Sequence, residues 1–288
     1  MLLDPKSIPK NHVLLNPSIA GDMIYIRDIE QTATQHVNHV VLHNKNTGTT
    51  MKVDVPMDMI APSLGYYVGL EDLRLCLFNG RTYFTATCTH ASMRQQSEMV
   101  IGVFSEDCHS IEGLCHVDFG IPPVKNVCPF VRDGALMLID TYNEAIYKVD
   151  VGPDAVKFTI NVTKVVDLHG PYFSVFSTGG PTSTMRGSTS PVHIHGDTWG
   201  CLVHDIIYDD NVALNTKAKL AYMHAWIEFD VATGAITFVS SPFYLAKFGI
   251  EFASGITYDK SEGVVTIYMG VEDRVAVVIT TTLHHLRS

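Results

Sequence analysis

Four acidic residues and a scattered set of cations are the side chains most able to do chemistry in this chain. Glu71-Asp72 stands two residues before Arg74, Glu251 precedes Phe252-Ala253-Ser254-Gly255, and Asp273 follows Tyr268-Met269-Gly270. Lys125, Arg186, His204 and Tyr222 lie in other polar segments, each beside an apolar run. Two carboxylates flanking a glycosidic bond perform inverting hydrolysis, one as acid and one activating water. Phosphate needs no such base, because it is already anionic. Its attack needs one carboxylate to handle the leaving oxygen and cations to hold the anion in line. Lys125, Arg186, His204 and Tyr222 could form that cradle, for inorganic phosphate or for the diphosphate of a nucleotide sugar. Plainer readings exist. Glu-Asp near Arg is commonly a solvated loop pair worth little, Lys125 an ordinary exposed lysine, and Tyr222 a tyrosine packed between sheets.

Residues so far apart meet only if the fold gathers them. Helical periodicity is scarce, and short runs rich in Val, Ile, Tyr, Phe and Thr dominate, which is the all-β pattern. Asn79-Gly80 joins Leu73–Phe78 to Thr82–Thr87, and Asp133-Gly134 joins Val127–Val131 to Leu136–Asp140. Such pairs supply the positive φ angles of tight hairpins. Related turns stand at Gly21, Gly196 and Gly263, so five hairpins recur 54 to 67 residues apart, each followed by one or two more strands. A period of this size with about four strands per unit predicts a five-bladed β-propeller occupying residues 1–288 as one domain. The innermost strands of a propeller line a central funnel. Polar residues at equivalent places in different blades would therefore meet in one pocket.

Taken in order, the segments resemble the five-bladed propeller phosphorylases that act on β-mannosides. That family's Gly-x-Glu-Asp-Pro-Arg motif has its counterpart in Gly69-Leu70-Glu71-Asp72-Leu73-Arg74, with Leu73 in place of proline. Its early Asn-Pro plus Arg pair corresponds to Asn16-Pro17 with Arg27, and its late Tyr-x-Gly-x-x-Asp motif to Tyr268 through Asp273. The Arg186-Gly187-Ser188-Thr189-Ser190-Pro191 segment departs from the usual sequence. The pattern is more similar to the dual-activity β-1,2-mannosyltransferase/phosphorylases that make and degrade mannogen, a β-1,2-mannan reserve. The resemblance implies that Asp72 is general acid in breakdown and general base in synthesis. It implies that Glu71 and Arg74 orient Asp72 or the sugar, and that Asn16, Arg27, Asp273 and Glu251 hydrogen-bond mannose hydroxyls. Mannose oligosaccharides, phosphate, mannose 1-phosphate and GDP-mannose would be its substrates and products, with no cofactor or metal.

Other classes find little support. With 20 Lys and Arg against 30 Asp and Glu, the formal charge is −10, unsuited to nucleic acid. No run of eighteen apolar residues spans a membrane. The first residues, Met1-Leu2-Leu3-Asp4-Pro5-Lys6, do not read as a secretory leader, and the six cysteines form no Cys-x-x-Cys pair. Both point to the cytoplasm. His193-x-His195 with His204 invites a metal reading, but no carboxylate spacing completes a known site. No Gly-x-Ser-x-Gly elbow, P-loop or Gly-x-Gly-x-x-Gly occurs. An inverting hydrolase using Glu251 or Asp273 as second carboxylate and a non-catalytic glycan-binding propeller are the alternatives. Trp199, Trp226, Tyr66 and Tyr67 could stack on sugars or serve the core, and exposed blade edges could make a homodimer.

Overall fold

The computed structural model describes residues 9–55, 67–89, 97–117, 119, 125–152, 158–170, 185–208 and 220–288. They form five small antiparallel sheets, the five blades of a β-propeller. Blade 1 comprises β1 (His12–Ala20), β2 (Met23–Gln31), β3 (His36–Asn44) and β4 (Thr50–Lys52), and β5 (Tyr67–Val68) pairs with β3 in parallel. Blade 2 comprises β6 (Leu70–Phe78), β7 (Arg81–Thr89), β8 (Ser97–Phe104) and β9 (Ile111–His116). Blade 3 comprises β10 (Cys128–Arg132), β11 (Ala135–Asp140), β12 (Ala145–Val151) and β13 (Ile160–Asp167). In blade 4, β14 (Arg186–Gly187) and β15 (Val192–His195) share the inner position beside β16 (Thr198–Tyr208), followed by β17 (Leu220–Asp230) and β18 (Ile236–Val239). Blade 5 has three strands among the described residues, β19 (Glu251–Asp259), β20 (Val264–Val271) and β21 (Val275–Thr282), and continues into α1 (Leu283–Arg287).

The hairpin glycines stand where the sequence places them. Asn79-Gly80 and Asp133-Gly134 have positive φ at both residues, and Gly21, Gly196 and Gly263 share that conformation. The blades are held by the gaps between them. Each of the five buried apolar clusters mixes side chains of two neighbouring blades. Tyr25, Val40 and Leu42 pack on Leu73, Leu75 and Phe84 between blades 1 and 2. Corresponding clusters fill the gaps between blades 2 and 3, 3 and 4, and 4 and 5. Ile19, Ile24 and Ile26 meet Tyr268 and Ala276 to close the ring between blades 5 and 1. Two-residue alternation makes this work. Tyr25 and Arg27 share one face of β2, turned toward blade 2, while Ile24 and Ile26 serve blade 5. In blade 5, α1 adds Leu283 and Leu286 to the gap with blade 4. Its Arg287 forms a two-pronged pair with the buried Glu228, at 2.7 and 2.8 Å.

Side-chain hydroxyls stitch neighbouring blades where no backbone ladder joins them. Ser254 Oγ donates to Pro17 O at 2.9 Å, from blade 5 to blade 1. Ser18 Oγ accepts from Leu75 N at 3.0 Å, and Thr85 Oγ1 donates to Val127 O at 2.7 Å. Among the described residues no helix is long and apolar enough to cross a membrane, and all six cysteines are free thiols.

Candidate active site

A cavity of about 380 Å³ lies at the axial end of the inner strands. The residues entering it are aimed by local breaks in the ladder. On β1 the pairing jumps from Leu15–Arg27 to Ser18–Tyr25, and on β6 from Glu71–Thr87 to Arg74–Thr85. Each break is a bulge, two residues facing one. Its first residue has a left-handed backbone, Asn16 at φ 48° and Asp72 at φ 53°. Asn and Asp tolerate this conformation better than other residues with a side chain. A bulge turns its side chain out of the sheet's alternation, and here both turn into the cavity. Leu73, where the resembled family has proline, follows Asp72 as Pro17 follows Asn16. Its side chain is fully buried between blades 1 and 2. Asn126 and Asp273 also line the cavity with positive φ.

Asp72 is the centre of one wall. Its Oδ1 accepts from Asn16 Nδ2 at 2.7 Å and from Arg27 Nη1 at 2.9 Å. Arg27 is fixed in turn by Asn38 Oδ1, which accepts from Nε at 2.8 Å, and its Nη2 stands 3.5 Å from Glu71 Oε2. Gly69, at φ 98°, lets β6 begin within contact of Asn38: a Cβ there would lie 2.6 Å from Asn38 O. Gly270, the glycine of the Tyr-x-Gly-x-x-Asp motif, leaves the space that the Asn16 amide occupies. Burial works to raise the Asp72 pKa, but Arg27, Arg74 and the hydrogen bonds from Asn16 and Arg27 outweigh it and hold the carboxyl below its ordinary value. Glu71 and Asp273 go the other way. Burial raises Glu71 despite Arg27, and burial together with the charge of Asp72 raises Asp273. Three neighbouring carboxyls are thus driven apart in acidity, the pattern that separates acid from base roles.

The opposite part of the ring, blades 3 and 4, contributes the cations. Lys125 and Arg186 line the cavity, and neither forms an ion pair among the described residues. His204 faces Arg186 across the β14–β16 pair and packs against Tyr222 and Phe252, with ring centroids at 5.4 and 5.0 Å. His204 does not join the cradle as a cation. Burial, with His224, Arg74 and Arg186 nearby, lowers its pKa well below the ordinary value. The neutral ring shares a 2.8 Å hydrogen bond between Nδ1 and Ser188 Oγ. With the hydroxyl donating, Nε2–H remains as a neutral donor.

Nine of the eleven residues singled out by sequence therefore line one cavity: Asn16, Arg27, Glu71, Asp72, Lys125, Arg186, His204, Tyr222 and Asp273. Arg74 and Glu251 do not, so the expectation that they contact a sugar is corrected. Arg74 is buried behind the site, donating from Nη1 to Asp72 O at 2.6 Å and from Nε to Ser188 O at 2.5 Å, with its guanidinium 4.7 Å from the centroid of Phe252. It holds the Asp72 backbone. Glu251 is fully buried, and its carboxylate accepts from the backbone N–H groups of Leu245, Ala246 and Lys247. Among the described residues, no group of His, Cys, Asp and Glu side chains gathers as a metal site. His193 lies on β15, bonded to Gly196 O of the exposed turn and to Lys260, while His204 is in the cavity. Trp226 is core and Trp199 packs between blades 3 and 4. Tyr66 and the Tyr67 side chain lie outside the described residues. Sequence reasoning missed Asn126, Phe252, His36 and Gln31 on the cavity wall. Only Asn126, beside Lys125, carried a signal.

No protein-family model matches the sequence, and no curated protein matches it. Solved structures do resemble it. A β-1,2-mannobiose phosphorylase from Listeria innocua, in complex with β-1,2-mannobiose, superposes with a TM-score of 0.57 over 99% of this chain and 94% of that one, at 12% identity. A structure from the GH130 family of mannoside phosphorylases, described as containing glycoside hydrolases that target β-1,2-mannosidic linkages in Candida mannan, gives 0.58 over 95% and 85%, also at 12% identity. A hypothetical protein from Leishmania major gives 0.54 over 95% and 86%, at 17% identity. The chain thus shares its five-bladed propeller fold with mannoside phosphorylase structures, and the likeness is one of fold.

Proposed function

We propose that residues 1–288 form one catalytic domain that transfers mannose with inversion between a phosphate leaving group and β-1,2-linked mannose oligosaccharides. The donor is mannose 1-phosphate or a nucleotide sugar such as GDP-mannose. One observation carries the reading: a single cavity holds the ionised Asp72, fixed by Arg27 and Asn16, together with two cations, Lys125 and Arg186, that form no ion pair among the described residues. In synthesis the Asp72 carboxylate takes the proton of the acceptor hydroxyl, directly or through a sugar hydroxyl. The acceptor oxygen bonds to C1 from the β face as the C1–O bond to phosphate breaks on the α face. Lys125 and Arg186 hold the departing anion, with His204 and Tyr222 as neutral donors. Breakdown reverses each bond change and delivers the proton to the glycosidic oxygen. The depressed pKa of Asp72 means that the resting site is charged as a base. The shared fold with a β-1,2-mannobiose phosphorylase supports the choice of substrate class, and six free thiols suit the proposed cytoplasmic location.

The test is a product assay by phosphorus NMR and mass spectrometry. Protein is incubated with a short β-1,2-mannan and inorganic phosphate, and separately with the mannan and GDP-mannose. Mannose 1-phosphate in the first tube and longer chains in the second are expected. Mannose 1-phosphate alone restricts the activity to phosphorolysis, and silence in both tubes refutes the proposal. A second reading, inverting hydrolysis, is favoured by one feature, the presence of Asp273 in the same cavity as Asp72. Glu251 cannot fill that role, being committed to three backbone N–H groups. Free mannose released without phosphate would establish the hydrolase.

A further inference from the structure

The commitment of Glu251 to a loop, rather than to the cavity, draws attention to what the loop presents. Residues 240–250 run from blade 4 to blade 5. Ser240 Oγ accepts from Trp226 N at 2.9 Å, and Phe243 exchanges backbone bonds with His224. Glu251 then gathers the N–H groups of Leu245 at 2.7 Å, Ala246 at 2.8 Å and Lys247. Gly249 O accepts from Tyr222 N at 3.0 Å, and Ile250 O accepts from Glu272 N at 2.7 Å. Lys247 Nζ stands 3.2 Å from Glu272 Oε1. The segment is therefore tied to Tyr222 on one side of the cavity and to the neighbour of Asp273 on the other. On this fixed rim, Phe248 is 55% exposed and Tyr244 37%. Their rings touch edge to face, with centroids 5.5 Å apart.

We propose that Tyr244 and Phe248 form a sugar-binding platform outside the cavity, on which the outer units of an oligosaccharide lie when its terminal unit occupies the cavity. The proposal rests on reading the cavity as a glycan site. Two observations favour a sugar. A volume of about 380 Å³ is near the lower end for a ligand pocket, so a longer chain must leave over the rim. A pyranose offers an apolar C–H face bordered by hydroxyls. Two exposed rings beside the Lys247–Glu272 ion pair match that combination of flat apolar surface and polar edge. Glu251 acts here as a positioning residue, because its three accepted N–H bonds fix the turn between the two rings.

The experiment is calorimetric titration of β-1,2-mannose oligosaccharides of two and four units into wild type, Tyr244→Ala and Phe248→Ala. Wild type is expected to bind the four-unit chain more tightly. Each alanine is expected to weaken that binding by about tenfold, from the loss of one ring face, with two-unit affinity unchanged. Glu251→Gln is expected to narrow the ratio of the two affinities in the same way, without change in the two-unit value. Equal weakening of both ligands overturns the platform, because it would mean that the loop acts only through the cavity wall. Unchanged four-unit binding in both alanine variants overturns it while leaving the cavity reading intact. Failure of wild type to bind either sugar overturns both. A shift in sedimentation between wild type and the alanine variants also overturns it, since the rings would then serve an interface between copies of the chain.

Discussion

Arg27 carries the heaviest electrostatic duty in the site, and Arg27→Met removes its charge while keeping its length. Arg27 is 6% exposed and its guanidinium faces two carboxylates, with Asp72 at 2.9 Å and Glu71 at 3.5 Å. Removing one partner of a buried ion pair costs about 3–5 kcal/mol, because the remaining charge stays desolvated. That loss is expected near pH 7. The pH dependence follows from Asp72. In the wild type its folded pKa is depressed, so its contribution is present above the unfolded value and lost as pH falls through the folded one. In the variant the main cation opposing burial is gone, so Asp72 and Glu71 favour protons and the deficit shrinks as the medium is acidified. Urea unfolding near pH 7.5 and near pH 4.5 reads both quantities. Adding Asp72→Asn to the Arg27→Met chain removes one orphaned charge. The double variant should then lose less than the sum of the single losses by at least about 1 kcal/mol. An equal Arg27→Met penalty at both pH values, with additive double-variant behaviour, would refute the electrostatic account and leave only packing.

Three further outcomes follow from the same geometry. Asp72→Asn should lower kcat by about a hundredfold to ten-thousandfold in both directions, with circular dichroism preserved and the unfolding midpoint lowered by the loss of its ion pair with Arg27, and full turnover would remove Asp72 from the mechanism. Lys125→Ala and Arg186→Ala should each raise KM for phosphate by about tenfold to a hundredfold, as expected for a charge-assisted hydrogen bond. KM for the oligosaccharide should move less than twofold, and parallel rises in both constants would show that these cations do not hold the anion. Because Asp72 is ionised below the ordinary carboxylate range, synthesis should keep its rate into mildly acid solution. Breakdown starts from protonated Asp72 and should already decline as pH rises from below the ordinary carboxylate range; coincident profiles in the two directions would contradict the proton assignment.

Blade number and hairpin positions were legible because turns obey local rules. Asn79-Gly80 and Asp133-Gly134 need only their own φ angles, whatever surrounds them. The cavity's membership was largely legible for a different reason: equivalent strand ends in successive blades converge on one axis. Orientation was not. Glu251 begins inner strand β19 just as the cavity residue Arg186 begins β14, and only the three N–H groups of residues 245–247 show that its carboxylate is already satisfied. Arg74 and Arg27 are both arginines on strands of the first two blades. Alternation and the bulge at Asp72 send one behind the site and the other into it. The neutrality of His204 depends on burial and on Arg74 and Arg186, contacts between segments far apart in the chain. Phe252 and Gln31 carry no chemical signal in a strand, where packing explains them equally well.

The bulges also determine which substitution probes the chemistry cleanly. Blades 1 and 2 present the same local geometry, a left-handed residue followed by Pro17 in one and Leu73 in the other, yet the first offers an amide and the second an acid. The cavity's reactivity is thus set by what occupies a repeated structural slot. Asn16 demonstrates that an amide is compatible with that slot, so Asp72→Asn changes charge with little change in backbone preference. Asp72→Ala would impose about 1–2 kcal/mol of left-handed strain on a residue unable to hydrogen-bond locally. It would also leave the donors of Asn16 and Arg27 without their acceptor, so its loss of activity would mix misplaced geometry with missing proton transfer. If Asp72→Asn retains oligosaccharide binding but not turnover, while Asp72→Ala loses both, the difference separates the carboxylate's chemical role from its architectural one. If the two variants behave alike in binding and turnover, the bulge needs no side-chain hydrogen bonding at this position, and the argument from slot equivalence fails.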